Sequence, residues 1–154
     1  MGPCFFYSRI SQIAKEAFGL NSIGLLQLVV VDETCKVDMR NQIIEAWDKM
    51  LNLHKEECIK ESGADENDVS NIFKTDTIPD SYSMKCFLKC HHVFLGFMDE
   101  KGNLNDEEIL KGIAGADVEY MKICNEVAYK EVDLCNRMFE YVKCGVTKIL
   151  AKFT

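Results

Sequence analysis

The sequence predicts an all-α fold in which six helices form one compact domain over residues 37–154. Three observations carry this prediction. Apolar residues in this range recur at the 3.6-residue spacing of a helix, and no strict alternation of apolar and polar residues persists. Pro79 is the only proline in the range, so the helical pattern is interrupted once. Six cysteines fall on predicted helices or at their ends.

An apolar stripe at helical spacing predicts the first helix, which ends near Glu61, with Gly63 as its stop signal. The stripe consists of Ile43, Trp47, Met50, His54 and Cys58, which are expected to face inward. A short second helix follows. Asp65 is its predicted N-cap, and its apolar face consists of Val69, Ile72 and Phe73.

A turn around Pro79 separates these helices from a third one, predicted over residues 81–98. Two adjacent apolar stripes run along it: Cys86, Cys90, Val93 and Phe97, and Phe87, His91, Phe94 and Met98. A helix that is apolar over so wide an arc is expected to be central. His92 falls outside both stripes and is expected to face solvent.

The last three helices follow from capping signals and apolar spacing. Asn105 with Glu108 resembles a capping box and predicts the start of the fourth helix, which Gly112 and Gly115 end. The fifth helix is marked by Val118, Met121, Cys124 and Ala128. The sixth is marked by Cys135, Met138, Phe139 and Val142 and is expected to stop at Gly145.

Length and charge restrict the function. The 154 residues suffice for one ordinary domain, and the formal net charge of −7 argues against nucleic acid and anionic membranes as partners. Charges balance within residues 1–36, so the acidic part is 37–154. We interpret residues 1–36 as a leader-like or extension segment, because the apolar run 23–31 has the length of a signal-peptide core and is too short to span a membrane.

The cysteines predict an oxidised framework. Six of the eight form the series Cys58-x27-Cys86-x3-Cys90-x33-Cys124-x10-Cys135-x8-Cys144, whereas Cys4 and Cys35 lie in the N-terminal segment. An even number in so short a chain is typical of secreted proteins. Three bridges between helices are the natural interpretation, although spacing alone leaves fifteen connectivities open.

This series resembles the six-cysteine pattern of insect odorant-binding proteins of the pheromone and general odorant type, over residues 40–154. The resemblance implies three disulfides, Cys58–Cys90, Cys86–Cys135 and Cys124–Cys144, around an internal hydrophobic pocket. It also implies a secreted, extracellular carrier of a small apolar ligand, with a chemosensory receptor as a further partner. Such a carrier needs no cofactor and is a monomer or a weak homodimer.

Regions that line the pocket in this family suggest ten candidate ligand-binding residues here. Seven come from the helices: Phe94, Phe97, Met98, Ile109, Ile113, Met121 and Phe139. Three come from the apolar C-terminal tail: Ile149, Leu150 and Phe153. Trp47 is expected in the core instead. A pH-dependent release step, known in some relatives, would use a histidine or a carboxylate that tethers the tail.

A pocket has an energetic cost that the bridges can offset. An empty cavity of ~300 Å³ costs several kcal/mol at roughly 24 cal/mol per Å³. Each implied bridge contributes roughly 3 to 4 kcal/mol in the chain-entropy model. The disulfide-linked helices can therefore tolerate an empty cavity of this size.

Other functions fit the sequence less well. No G-x-S-x-G, phosphate loop or H-E-x-x-H motif supports catalysis, so an enzyme is not expected. A zinc site would need short C-x2-C pairs that are missing, and no metal is expected. Two alternatives to an odorant carrier remain: a carrier of non-olfactory lipids or hydrophobic metabolites in haemolymph or glands, and a secreted structural or signalling helical protein without a pocket.

Overall fold

The computed structural model describes residues 22–75 and 77–154, and the side chains from residue 33 onward. Within this part of the chain the fold is all helical, with seven α-helices and no strand, which confirms the predicted fold class. The helices are α1 (Ser22–Leu51), α2 (Lys55–Ser62), α3 (Glu66–Ser70), α4 (Tyr82–Phe94), α5 (Asp106–Gly112), α6 (Val118–Ala128) and α7 (Leu134–Leu150). A short 3₁₀ turn, Ala151–Phe153, follows α7.

The chain divides into two compact units. The larger one is Ile43–Lys152, and the smaller one contains the described residues up to Gln42 together with Phe153–Thr154. Most of the predicted leader-like segment, including Cys4, lies outside the described residues. The backbone of its apolar run 23–31 belongs to α1. No helix in the described ranges combines the length and the apolar character that crossing a membrane requires.

Three disulfides connect the helices of the larger unit. Cys58–Cys90 joins α2 to α4, Cys86–Cys135 joins α4 to α7, and Cys124–Cys144 joins α6 to α7. This is the pairing that the resemblance implied. Helix α4 also packs against both α2 and α7, so it is central, as its two apolar stripes predicted.

The prediction of a single first helix is wrong, because the structure has two helices in its place. Helix α1 ends at Leu51, and α2 begins after His54, whose backbone is left-handed with φ 57°. This division allows the two helices to contact different parts of the protein. Trp47 contacts Phe73, with ring centroids 5.3 Å apart, whereas Cys58 is bonded to Cys90. As a result His54 is exposed and not inward-facing.

The predicted stop at Gly145 is also wrong, since α7 continues to Leu150. The glycine serves a different purpose. A Cβ at Gly145 would lie 3.0 Å from Cε2 of Tyr120, so the missing side chain allows α7 to approach α6 closely. Of the five residues that follow it in α7, Ile149 is buried and Val146 and Leu150 are half-buried, so these three extend the buried face of the helix.

Asp133 begins α7 and also bonds to α4. Its Oδ1 accepts a hydrogen bond from the backbone N–H of Asn136 at 2.8 Å, and its Oδ2 accepts one from the hydroxyl of Tyr82 at 2.9 Å. The Asn136 bond, supported by that from Tyr82, keeps the pKa of this carboxyl below its usual range. The same side chain therefore caps one helix and contacts a second.

We expect Asp133→Ala to lower the free energy of unfolding by about 1 kcal/mol at pH 7, because the N-cap bond is lost. Asp133→Asn is the matched control and should lose much less, since asparagine caps a helix as well as aspartate does. Urea denaturation measures both. Equal losses in the two variants would show that the charge, and not the cap, stabilises this helix end.

Candidate functional site

The larger unit contains a narrow, mainly apolar cavity between its helices. The cavity volume that is available to water-sized molecules is about 40 Å³, well below the ~300 Å³ that was assumed in the sequence analysis. This volume accommodates a few waters. The described residues that line it are Trp47, Met50, Leu51, Phe73, Leu88, His91, His92, Ile113, Tyr120, Tyr141, Val142, Gly145, Val146 and Ile149. A larger guest therefore requires these walls to move apart.

The wall from α1 is held in place by Trp47. Its indole N–H donates a hydrogen bond to the carbonyl oxygen of Ala114, 3.0 Å away, in the segment after α5. That bond satisfies the only polar atom of a buried side chain. Trp47 is thus in the core, as expected, and at the cavity edge as well.

Two neighbouring histidines of α4 form part of the wall. One ring nitrogen of His91, Nε2, lies 3.1 Å from the carbonyl oxygen of Met50. His92 Nδ1 lies 2.9 Å from the carbonyl oxygen of Leu88. The prediction that His92 faces solvent is wrong, because its side chain is only 5% exposed. The chain reverses after α4 and places Phe97 against it, with ring centroids 5.8 Å apart.

Burial keeps the cavity electrically neutral. It lowers the pKa of His92 to about 3, with a further contribution from His91. It also lowers the pKa of His91, against the opposing effect of the Met50 carbonyl. In the same way burial raises the pKa of Tyr120 to about 12 and that of Tyr141 still further. None of the described lining residues is Lys, Arg, Asp or Glu.

The end of α7 closes one side of the cavity. Ile149 is buried in the wall, and its Cγ2 atom would lie 2.5 Å from a Cβ at Gly115. Just beyond it, Lys152 forms an ion pair with Asp117, the N-cap of α6. The Lys152 hydrogen bond keeps the pKa of the Asp117 carboxyl below its usual range. A carboxylate therefore tethers the C-terminal tail at Lys152.

The structure places the ten sequence-predicted site residues in several environments. Ile113 and Ile149 border the cavity. Five others are buried in the core but do not border it: Phe97, Met98, Ile109, Met121 and Phe139. Leu150 is half-buried and also outside the lining, and Phe153 belongs to the smaller unit. Phe94, the last residue of α4, is 51% exposed because its ring stacks on the surface ring of His54.

Sequence reasoning missed most of the α7 wall. Tyr141, Val142, Gly145, Val146 and Ile149 recur at the three- and four-residue spacing of one helical face. This spacing is visible in the sequence, but the predicted helix end at Gly145 excluded the residues that follow it. His91 belonged to an apolar stripe that was predicted to be inward, whereas the burial of His92 carried no such signal, because it depends on Phe97, which lies beyond the helix end.

A zinc site on Cys58, Cys86 and Cys90, with His54 or His91 as a fourth ligand, does not fit the disulfides. Cys58, Cys86 and Cys90 are all oxidised, so their thiolates are not available as ligands. The described ranges contain no group of three or more His, Cys, Asp or Glu side chains that could hold a metal ion.

An all-helical unit with three interhelical disulfides and an apolar cavity between its helices defines a class of small, cross-linked helical domains. The sequence model of the PBP/GOBP family matches residues 41–148. The chain therefore belongs to this family, the insect odorant-binding proteins.

A curated relative supports this assignment. General odorant-binding protein 19d of Drosophila melanogaster is 33% identical over 97 residues, which cover 57% of this chain and 64% of the relative. The match thus spans less than two thirds of the relative's length. No solved structure matches this chain significantly.

Proposed function

We propose that this protein is an extracellular carrier that binds small hydrophobic molecules, odorants or pheromones, in the cavity between α1, α4, α6 and α7. The observation that carries the proposal is the cavity itself. Its described walls are mainly apolar and uncharged, and two disulfides join three of the helices that form them, α4 to α7 and α6 to α7. Membership of the odorant-binding family supports the same function.

Burial of hydrocarbon would provide most of the binding energy. Removing about 300 Å² of ligand surface from water at ~25 cal/mol per Å² contributes about 7 kcal/mol before association costs. Widening the narrow cavity subtracts from this value. We therefore expect affinities near micromolar, with selection mainly by size and shape.

The disulfides support an extracellular location, because such bonds persist in oxidising compartments. The walls also favour binding without chemistry. Among the described lining residues there is no serine, cysteine or lysine that could act as a nucleophile beside the histidines.

Filling the cavity tests the proposal. Val146 lines the wall on α7, and Val146→Trp would place an indole in the space that a ligand needs. We expect the wild-type protein to take up the apolar fluorophore N-phenyl-1-naphthylamine saturably, and Val146→Trp to weaken this uptake at least tenfold. Fluorescence titration gives both affinities.

Val132→Trp is the matched control, because Val132 is 89% exposed. It should bind the fluorophore as the wild type does. Unchanged affinity in Val146→Trp would place the fluorophore outside this cavity. A wild-type protein without saturable uptake would favour the alternative of a secreted structural or signalling protein.

A further inference from the structure

The cavity is too small for a ligand of the proposed class, so part of its wall moves when a ligand binds. Its volume is about 40 Å³, whereas a site for a small organic molecule has ~300 Å³ or more. Close-packed interiors do not stretch evenly, and they change by the displacement of whole segments. Which segment moves depends on how each part of the wall is held.

Disulfides hold one part of the wall together. They join α4 to α7 and α6 to α7, so these three helices are not free to separate. The other lining residues are those of α1, Phe73 and Ile113. They lie in the stretches 36–57, 59–85 and 91–123, which contain no cysteine. This part of the wall is therefore the one that can move.

Two of these mobile candidates are fastened to other parts of the wall. The end of α1 is held to α4, where Nε2 of His91 lies 3.1 Å from the carbonyl oxygen of Met50. Phe73 packs on Trp47, with ring centroids 5.3 Å apart. The third candidate, Ile113, belongs to residues 113–116, an irregular segment between α5 and α6.

The 113–116 segment is a thin layer between the cavity and the solvent. Ile113 borders the cavity, whereas Gly115, two residues later, is exposed. Gly115 has φ 83°, which residues with a side chain seldom adopt. A Cβ at this position would lie 2.5 Å from Cγ2 of Ile149 on α7 and 3.3 Å from Cδ1 of Ile43 on α1. The segment therefore lies between α1 and α7 and covers the cavity there.

Polar contacts hold this segment in place. The indole N–H of Trp47 donates to the carbonyl oxygen of Ala114 at 3.0 Å. On the other side, Nζ of Lys152 lies 3.5 Å from the carbonyl oxygen of Gly115 and forms the ion pair with Asp117. Hydrogen bonds of this kind exchange for bonds to water at a small net cost. They can open on the timescale of loop motion, whereas a disulfide does not.

We propose that ligands enter the cavity by displacing the 113–116 segment, and that Trp47 keeps this entrance closed in the ligand-free protein through its hydrogen bond to Ala114. This inference rests on the proposed function, since it concerns access to the same cavity. The bond stabilises the closed state alone. Its removal therefore raises the population of the open state, and with it the association rate and the affinity. Loss of an ordinary wall contact would lower the affinity instead.

Replacing the indole N–H by sulfur tests the entrance without changing the shape of the side chain. Site-directed incorporation of 3-benzothienylalanine at position 47 makes this change. We expect N-phenyl-1-naphthylamine to associate about fivefold faster than with the wild type, and its Kd to fall by about the same factor, because the closed state loses the net contribution of one hydrogen bond. Stopped-flow fluorescence and equilibrium titration measure the two quantities.

Two further variants complete the test. Trp47→Phe also lacks the donor and should likewise associate faster with the fluorophore. Tyr82→Phe is the matched control, because it removes a hydrogen bond between α4 and Asp133 at an exposed position. Its association rate and Kd should be those of the wild type.

The possible outcomes separate the entrance from the carrier function. Saturable uptake with an unchanged association rate in the protein without the Trp47 N–H would overturn the proposed entrance and leave the carrier function standing. A higher Kd in that protein would assign Trp47 to ordinary wall contacts and would also overturn the entrance. Absence of saturable uptake by the wild type would overturn the carrier function and this inference with it.

Discussion

Removing the disulfide Cys86–Cys135 is expected to lower the free energy of unfolding by roughly 4 kcal/mol. The bond closes the longest of the three described loops, with a sequence separation of 49 residues. A cross-link restricts the unfolded chain more when the loop that it closes is longer. It also joins α4 to α7, two helices that supply much of the cavity wall.

Urea denaturation of Cys86→Ala/Cys135→Ala, with the other bridges intact, measures this loss. Cys124→Ala/Cys144→Ala is the matched control. Its bridge has a separation of 20 residues, and the chain-entropy model predicts a smaller loss of roughly 3 kcal/mol. A loss below about 1 kcal/mol in the first variant would show that the bridge adds little to the packing of α4 on α7.

Acidification below pH 6.5 is expected to destabilise the protein through its two buried histidines. Burial lowers the pKa of His92 from 6.5 to about 3 and lowers that of His91 as well. Between those values the unfolded chain binds protons that the folded protein does not, so stability falls as the pH falls. In this range His92 contributes up to about 1.4 kcal/mol per pH unit, and His91 acts in the same direction. The stabilisation is complete above pH 6.5, and that from His92 is lost progressively down to about pH 3.

His92→Asn isolates this effect. Asparagine can still donate to the carbonyl of Leu88, but it cannot be protonated in this range. The stability lost between pH 6.5 and pH 5 should therefore be smaller than in the wild type by about 2 kcal/mol. Chemical denaturation at both pH values measures the difference, and comparing pH values within each variant removes the effect of the smaller side chain.

His54→Asn is the matched control for this series. His54 is exposed, and its left-handed backbone is a conformation that asparagine tolerates. This variant leaves His92 in place, so the loss of stability that is attributed to His92 should persist in it. If His92→Asn kept the same slope, protonation of His92 would not be the source of the acid sensitivity.

Helical periodicity predicted the fold class and the central position of α4. These properties depend on which residues share a face of one helix, and that information is local. The disulfide pairing could be predicted for a different reason. The spacing of the cysteines resembles that of a family with a known connectivity. The structure has the same three pairs.

The cavity walls were less predictable, as Gly145 and His54 illustrate. A glycine at the end of an apolar stripe is typical of a helix stop, but Gly145 lies inside α7, where the ring of Tyr120 occupies the space of a side chain. His54 continues the stripe of the first helix, yet its left-handed backbone lies between α1 and α2 and belongs to neither helix. In both cases the outcome depends on contacts between helices, which periodicity does not contain.

The sequence by itself determined that this chain forms oxidised, cross-linked helices with an apolar interior, since helix formation and cysteine spacing are properties of short segments. Only the tertiary structure decided where the first predicted helix is interrupted, that His92 is buried while His54 is exposed, and which face of α7 closes the cavity. Those features arise from packing between segments that are distant in sequence. An apolar residue has the same local sequence pattern in the solid core and in the cavity wall, and only its packing neighbours distinguish the two positions.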